Sequence, residues 1–266
     1  MSLRVVDVPA QRGIAWVRDG LALFFRAPLG FSMMFLLFLV AALVLMALPL
    51  AGALLLLALI PLLTLGFAAG TRAARRGEPV HAGLLLEPLR RSGDAQRRRV
   101  LLRLCLLYAA LTAATMLLAH AVDGGAFERL QLAMAKPRTE ASGREIDALL
   151  ADPQLAWGMA LRLGLLGALS VPFWHAPMLV WWQGQGLAQS LFSSTLACWR
   201  NRGAFVLYLA GWVAIAGAVG IAAAAITVLL GAPALASLTL PPLALLISVA
   251  FYVSLYLVYA DSFASD

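Results

Sequence analysis

The stretch Leu29–Gly70 reads LGFSMMFLLFLVAALVLMALPLAGALLLLALIPLLTLGFAAG and holds no charged residue. A helix needs roughly 20 apolar residues to cross hydrocarbon. Leu29–Leu48 and Ala51–Gly70 each have that length, and Pro49 between them suits a tight turn joining antiparallel spans. Outward from this pair, four more runs qualify: Leu101–Val122, Leu155–Trp182, Ala204–Leu230 and Leu238–Ala260. The fourth and fifth of the six exceed what a bilayer needs, so they tilt, kink or emerge from it. Pro172 and Pro177 predict a kink in the fourth. The sequence lacks the alternating pattern of an outer-membrane barrel.

The whole chain of 266 residues is 62% hydrophobic and 12% charged, with a mean hydropathy of +0.89. Soluble chains carry roughly 45–50% apolar and about 25% charged residues. This excludes a soluble enzyme, a disordered tail, a collagen-like fibre and a small disulfide scaffold. The six runs hold only two charges, Arg103 and Arg162, and leave 31 of the 33 charged side chains to the other 126 residues. Charge is expelled from the spans, as its cost in hydrocarbon requires. The expected fold is an all-α polytopic bundle of six membrane helices, forming one integral membrane domain over residues 1–266.

Arginine sets the expected direction. Residues 1–28 carry four arginines, 71–100 carry eight (Arg72, Arg75, Arg76, Arg90, Arg91, Arg97, Arg98 and Arg99) and 183–203 carry two. The opposite side has Arg129, Lys136, Arg138 and Arg144, diluted by six acids. The positive-inside rule then places both termini in the cytoplasm. No convincing cleavage site follows the first 28 residues, so no removable signal peptide is expected. With 19 arginines to one lysine and abundant Ala and Leu, the composition fits a GC-rich bacterial genome, and the inner membrane is the expected address. Cys105 and Cys198 are expected as packed thiols, since that compartment disfavours disulfides.

Three interspan segments look alike. Residues 13–26 place Ile14, Trp16, Val17, Leu21, Phe24 and Phe25 at roughly helical spacing with charges between, and Trp16 suits a membrane interface. Residues 82–99 and 186–202 follow the same plan, and each segment precedes a pair of spans. The chain can thus be divided into three units of interfacial helix plus hairpin. The middle unit is lengthened by a polar outer insertion at 123–154, with short helices expected over Phe127–Ala135 and Arg144–Leu150.

Trp16 and Gly20 with Phe24 and Pro28, then Phe173–Val180 (FWHAPMLV) and Ser194–Asn201 (STLACWRN), resemble an uncharacterised family of proteobacterial multi-pass inner-membrane proteins. More loosely, they resemble domains of unknown function related to the membrane domain of glycerophosphodiester phosphodiesterases. The resemblance covers most of the chain except the outer insertion. His175 departs from it, standing where a small or aromatic residue is more usual. It implies an inner-membrane address and transfers no activity.

Few residues qualify for a function. Arg162 is the charge deepest in a span and a default candidate, although two turns from the outer end it is expected to snorkel outward. Pro172, Trp174, His175 and Pro177 mark a broken helix, a place where transporters often line cavities. His120 and His81 lie far from His175, so no metal site is expected, and a packing role for His175 is preferred. Trp181 and Trp182 suit an interfacial belt. Tyr252, Tyr256 and Tyr259 with Ser248 fit packing or a polar path. Ala210, Ala214, Ala218 and Ala222 form a small-residue stripe, as do Ala160, Gly164 and Ala168, and Gly66 and Gly70 form a GxxxG pair; such stripes permit close helix contact. Arg72, Arg75, Arg76, Arg97, Arg98 and Arg99 are candidate contacts for anionic lipid headgroups. Nucleic-acid binding is not expected, since stacking aromatics are missing from that segment. The acids of 123–154 lack calcium-loop spacing. No catalytic set or cofactor motif appears. The expectation is a non-enzymatic accessory or structural inner-membrane protein that contacts lipids and another membrane protein or itself. A transporter or lipid-handling protein with a site at the kinked fourth span is the alternative.

Overall fold

Hydrocarbon offers a bare peptide group no hydrogen-bond partner, so a crossing chain must satisfy its backbone internally. The apolar runs do this as helices. The computed structural model describes residues 3–49, 51–90, 94–136, 140–229 and 233–265. Among them, six helical segments are long and apolar enough to span: Pro28–Met46, Ala51–Arg75, Ala95–Asp123, Pro153–Gln183, Arg202–Thr227 and Leu238–Ser262. The chain is an all-α polytopic bundle.

The order begins with strand β1 (Leu3–Val5) and helix α1 (Arg12–Arg26), followed by the hairpin α2 (Pro28–Met46) and α3 (Ala51–Arg75). A 3-10 turn (Ala82–Leu85) and the one-turn α4 (Glu87–Arg90) lead to α5 (Ala95–Asp123). Two short helices, α6 (Ala126–Ala135) and α7 (Glu140–Leu150), form the outer insertion. The fourth span is split into α8 (Pro153–Phe173) and α9 (Ala176–Gln183). Then come α10 (Leu187–Arg200), α11 (Arg202–Leu229), α12 (Pro233–Ser262) and strand β2 (Phe263–Ser265).

Two of the three interspan segments are single helices, α1 and α10. The segment 82–99 is not. Gly83 lies in the 3-10 turn, Pro88 in the first turn of α4, and residues 95–99 are already the first turn of α5. A proline is tolerated in a first turn but cannot continue a helix from upstream, so a new helix must start there. Arg97, Arg98 and Arg99 thus belong to a spanning helix rather than to an interfacial one. Arg91, and Pro137 and Arg138 of the outer insertion, lie outside the described residues.

Helix α3 runs between two apolar cores. Leu63 and Phe67 face one, built with Trp16, Phe24, Phe31, Met34, Tyr208 and Val253 from α1, α2, α11 and α12. Leu62, Leu65 and Ala68 face the other, built with Leu101, Leu104, Met178 and Leu179 from α5 and α9. The long central helices α3 and α12 are each 44% buried over their most apolar windows, whereas α11 is 6% and α2 is 11% buried. The latter two are the peripheral, membrane-facing helices.

Helix α1 is not laid loosely on a surface. Gly13 approaches α11 so closely that a Cβ there would lie 2.0 Å from the Ala204 carbonyl oxygen. Trp16, expected at the membrane interface, is fully buried; its indole N–H donates to Asp261 Oδ2 at 2.7 Å, and Arg12 Nε donates to the same oxygen at 2.6 Å. Asp261 thus gives the indole its polar partner inside the packing, and the ring need not reach the interface for one.

Both termini are stitched at this arginine-rich end. Strands β1 and β2 pair antiparallel with Val5 opposite Phe263. The Asn201 side chain acts as one further peptide group: its Oδ1 accepts from Val8 N at 2.8 Å and its Nδ2 donates to the Val6 carbonyl at 3.0 Å. Arg200 grips Asp7 with two parallel bonds.

Candidate functional site

The break in the fourth span falls at Pro172–Pro177, and one hydroxyl from α10 is inserted into it. Pro177 carries no N–H for the helical ladder. The His175 N–H leaves its helical partner, the carbonyl of Val171, and donates to Ser194 Oγ of α10 at 3.0 Å. Ser194 in turn donates to that Val171 carbonyl at 2.8 Å. The hydroxyl is therefore inserted into a single helical bond, one of the recognised causes of a sharp kink. Cys198, one turn along α10, also points its thiol at the Val171 carbonyl, at 3.7 Å. Burial pushes the Cys198 thiol up to about 12.

The His175 side chain is fully buried, and neither ring nitrogen has a partner among the described residues. Phe263 and Phe205 meet it edge-on, at 5.3 and 5.9 Å between ring centroids. Among the described residues no three His, Cys, Asp or Glu side chains converge as metal ligands would. Trp174 also meets Phe205 edge-on, and Tyr208 and Phe251 likewise. It lines a cleft of about 120 Å³ together with Thr64, Tyr108, Ser170 and Tyr252. Pro61 of α3 borders the same cleft.

Arg162 stands apart from this break. It is buried and does not snorkel: its guanidinium pairs with Asp123, the last residue of α5, and lies 4.4 Å from the Phe127 ring centroid. The pairing depends on Gly158, one turn before Arg162, where a Cβ would come 2.5 Å from the Asp123 Cβ. Asp123 is further fixed by the Gly125 N–H at 2.9 Å. The cap helix α6 then closes over the pair, with Ala126, Leu130 and Leu155 as a small third core. Sequence reading counted Asp123 with the outer insertion and so missed it as the partner. The only signal was an acid directly before Gly124-Gly125, where a helix would end.

The arginines fall into two groups. Arg72 lies over Trp182 at 5.3 Å and Arg75 over Tyr256 at 5.8 Å, so the aromatic residues of α9 and α12 hold the end of α3. Arg97 bonds Asp94 at 2.7 Å and donates to the Trp181 carbonyl at 3.0 Å, tying α5 to the end of α9. Arg76 approaches Glu78 at 3.9 Å. Arg98 and Arg99 make no ion pair among the described residues. A cavity of about 290 Å³ is lined by Arg72, Arg76, Glu78, Glu87, Trp181 and Trp182 among others. A second of about 280 Å³ lies between α1, α3 and α12.

The small-residue stripes divide by position. Gly66 and Gly70 are used inside the molecule, against Leu85 and against Phe31 and Met34. Ala210, Ala214, Ala218 and Ala222 of α11 are all exposed. Ala160, Gly164 and Ala168 of α8 are exposed too. Tyr259 accepts from Gln183 Nε2 at 3.1 Å and packs at tilted angles against Trp182, Tyr256 and Phe263.

No family model and no solved structure matches the chain. It is similar to a probable inner membrane protein of Burkholderia thailandensis, with 32% identity over 98% of this chain and 94% of the relative. The match covers nearly the whole chain, and on that extent the chain belongs to this family of multi-pass inner-membrane proteins.

Proposed function

We propose that the chain is a non-enzymatic accessory or structural component of the inner membrane, which packs through α11 against another membrane protein or a second copy. Its arginine-rich end and both termini face the cytoplasm, following the charge bias of the loops. The observation that carries this reading is the outward stripe of Ala210, Ala214, Ala218 and Ala222 on a helix only 6% buried. Lipid tails are as apolar as leucine, so lipid contact alone calls for no row of methyl-sized residues; close approach of a second helix does. The test is gentle extraction from native membranes and sizing of the particle. A complex larger than the monomer is expected, and Ala214→Trp with Ala218→Trp should dissolve it. Leu43→Trp, on the exposed face of α2, should not. A free monomer, or equal loss with Leu43→Trp, refutes the proposal.

A second reading, a lipid-handling or transport protein, is favoured by the cleft at Trp174, Tyr108 and Tyr252 beside the broken span. Lipid that co-purifies with the parent and is lost with Trp174→Ala would support it. Retention by both would remove it.

A further inference from the structure

We propose that the cavity between α1, α3 and α12 binds the phosphate of an anionic phospholipid headgroup. It has a volume of about 280 Å³ and is lined by Arg12, Asp19, Arg26, Arg75 and Asp261 with three apolar residues. Its carboxylates are already engaged. Asp261 accepts from Arg12 at 2.6 Å and from Trp16 at 2.7 Å. Asp19 is held by Arg18 at 2.9 Å, with Arg12 at 3.8 Å. Arg26 and Arg75 have no carboxylate partner among the described residues. Tyr256 beneath Arg75 positions that guanidinium without neutralising it. Two guanidinium forks with free N–H donors on one polar cavity match the oxygens of a phosphate.

The surroundings select a lipid over a free phosphate. Arg26 is the last residue of α1, and three residues later the exposed face of α2 begins. Leu29, Met33, Leu36 and Val40 share that face at helical spacing, and all are exposed. Phe25, beside Arg26, is 70% exposed. A phospholipid whose phosphate sits at Arg26 and Arg75 has this apolar wall for its acyl chains, whereas a soluble phosphate would use only the charges. The proposal does not depend on what covers α11.

The experiment is native mass spectrometry of the full chain in detergent, with phosphatidylglycerol and phosphatidylcholine supplied at equal mole fraction. Preferential retention of phosphatidylglycerol is expected. Arg26→Gln and Arg75→Gln should each lower the retained fraction roughly fivefold, the usual worth of a basic residue at a membrane surface. Arg202→Gln, exposed at the start of α11 and outside the cavity, should leave it unchanged. Inorganic phosphate in excess should not displace the lipid; displacement assigns the site to a soluble phosphate and overturns the lipid reading. Equal loss with Arg202→Gln shows diffuse surface attraction and overturns the site, as does equal retention of the two lipids. A thermal midpoint for each variant separates folding from binding, and Arg75→Gln alone carries the test if Arg26→Gln does not fold.

Discussion

Replacing Asp123 with alanine leaves the Arg162 guanidinium buried at the α6 end of the bundle with its carboxylate gone. Its Nε already lacks a hydrogen-bond partner among the described residues, so Asp123 is the anion that balances it. Breaking a buried ion pair from one side costs about 3–5 kcal/mol, because the remaining charge is uncompensated. The pair lies under a single cap helix at the end of α5, and the Arg162 side chain keeps 8% of its exposure. The lower end of that range, about 3 kcal/mol, is therefore the better figure. At about 2–4 °C per kcal/mol for a chain of this size, the unfolding midpoint in detergent should fall by roughly 6–12 °C. Arg162→Met should cost a similar amount. The double change Asp123→Leu with Arg162→Met should recover most of the loss, since apolar groups can replace a buried pair at little cost. The assay is thermal unfolding followed by loss of the monodisperse peak. A midpoint for Asp123→Ala within about 2 °C of the parent would refute the reasoning, as would losses that simply add in the double variant. Arg162 would then reach water or lipid headgroups without Asp123.

Two further outcomes are expected. Ser194→Ala removes the hydroxyl between His175 N–H and the Val171 carbonyl, and should destabilise by about 1–3 kcal/mol, the cost of unsatisfied buried groups; Ser194→Thr, which keeps the hydroxyl, should cost less, and equal unfolding midpoints for parent and alanine variant would contradict the insertion. In a Cys105→Ser background the only thiol is Cys198, raised by burial to about 12. Its reactive thiolate is scarce below that pH, so maleimide labelling of the folded protein should show no titration step near the ordinary value of 9.0, while the unfolded chain shows one; a step near 9.0 in the folded protein refutes the buried placement.

How much was legible in the sequence differs from residue to residue. The spans were, because the cost of charge and of bare backbone in hydrocarbon acts on each stretch of about 20 residues independently of the others. The break at Pro172–Pro177 was legible from proline's missing donor. Its repair by Ser194 was not, because that bond joins two helices 19 residues apart and Ser194 looks like any helix serine. Trp16 read as an interfacial tryptophan because its partner, Asp261, is 245 residues away. The segment 82–99 read as one amphipathic helix because its apolar spacing outweighed Pro88.

Sequence alone determined the class of this protein, its six spans, and the end at which arginine collects, for these follow from local transfer free energies that no distant residue alters. Tertiary structure decided which charges are neutralised and which faces stay open. It paired Arg162 with Asp123, engaged Asp261 with Trp16 and Arg12, and left Arg26, Arg75 and the alanine face of α11 without such partners among the described residues. Those outcomes depend on which helices lie side by side. Packing in a membrane is set by close fit and by scattered polar contacts rather than by hydrophobicity, and a pattern along one helix does not name its neighbour.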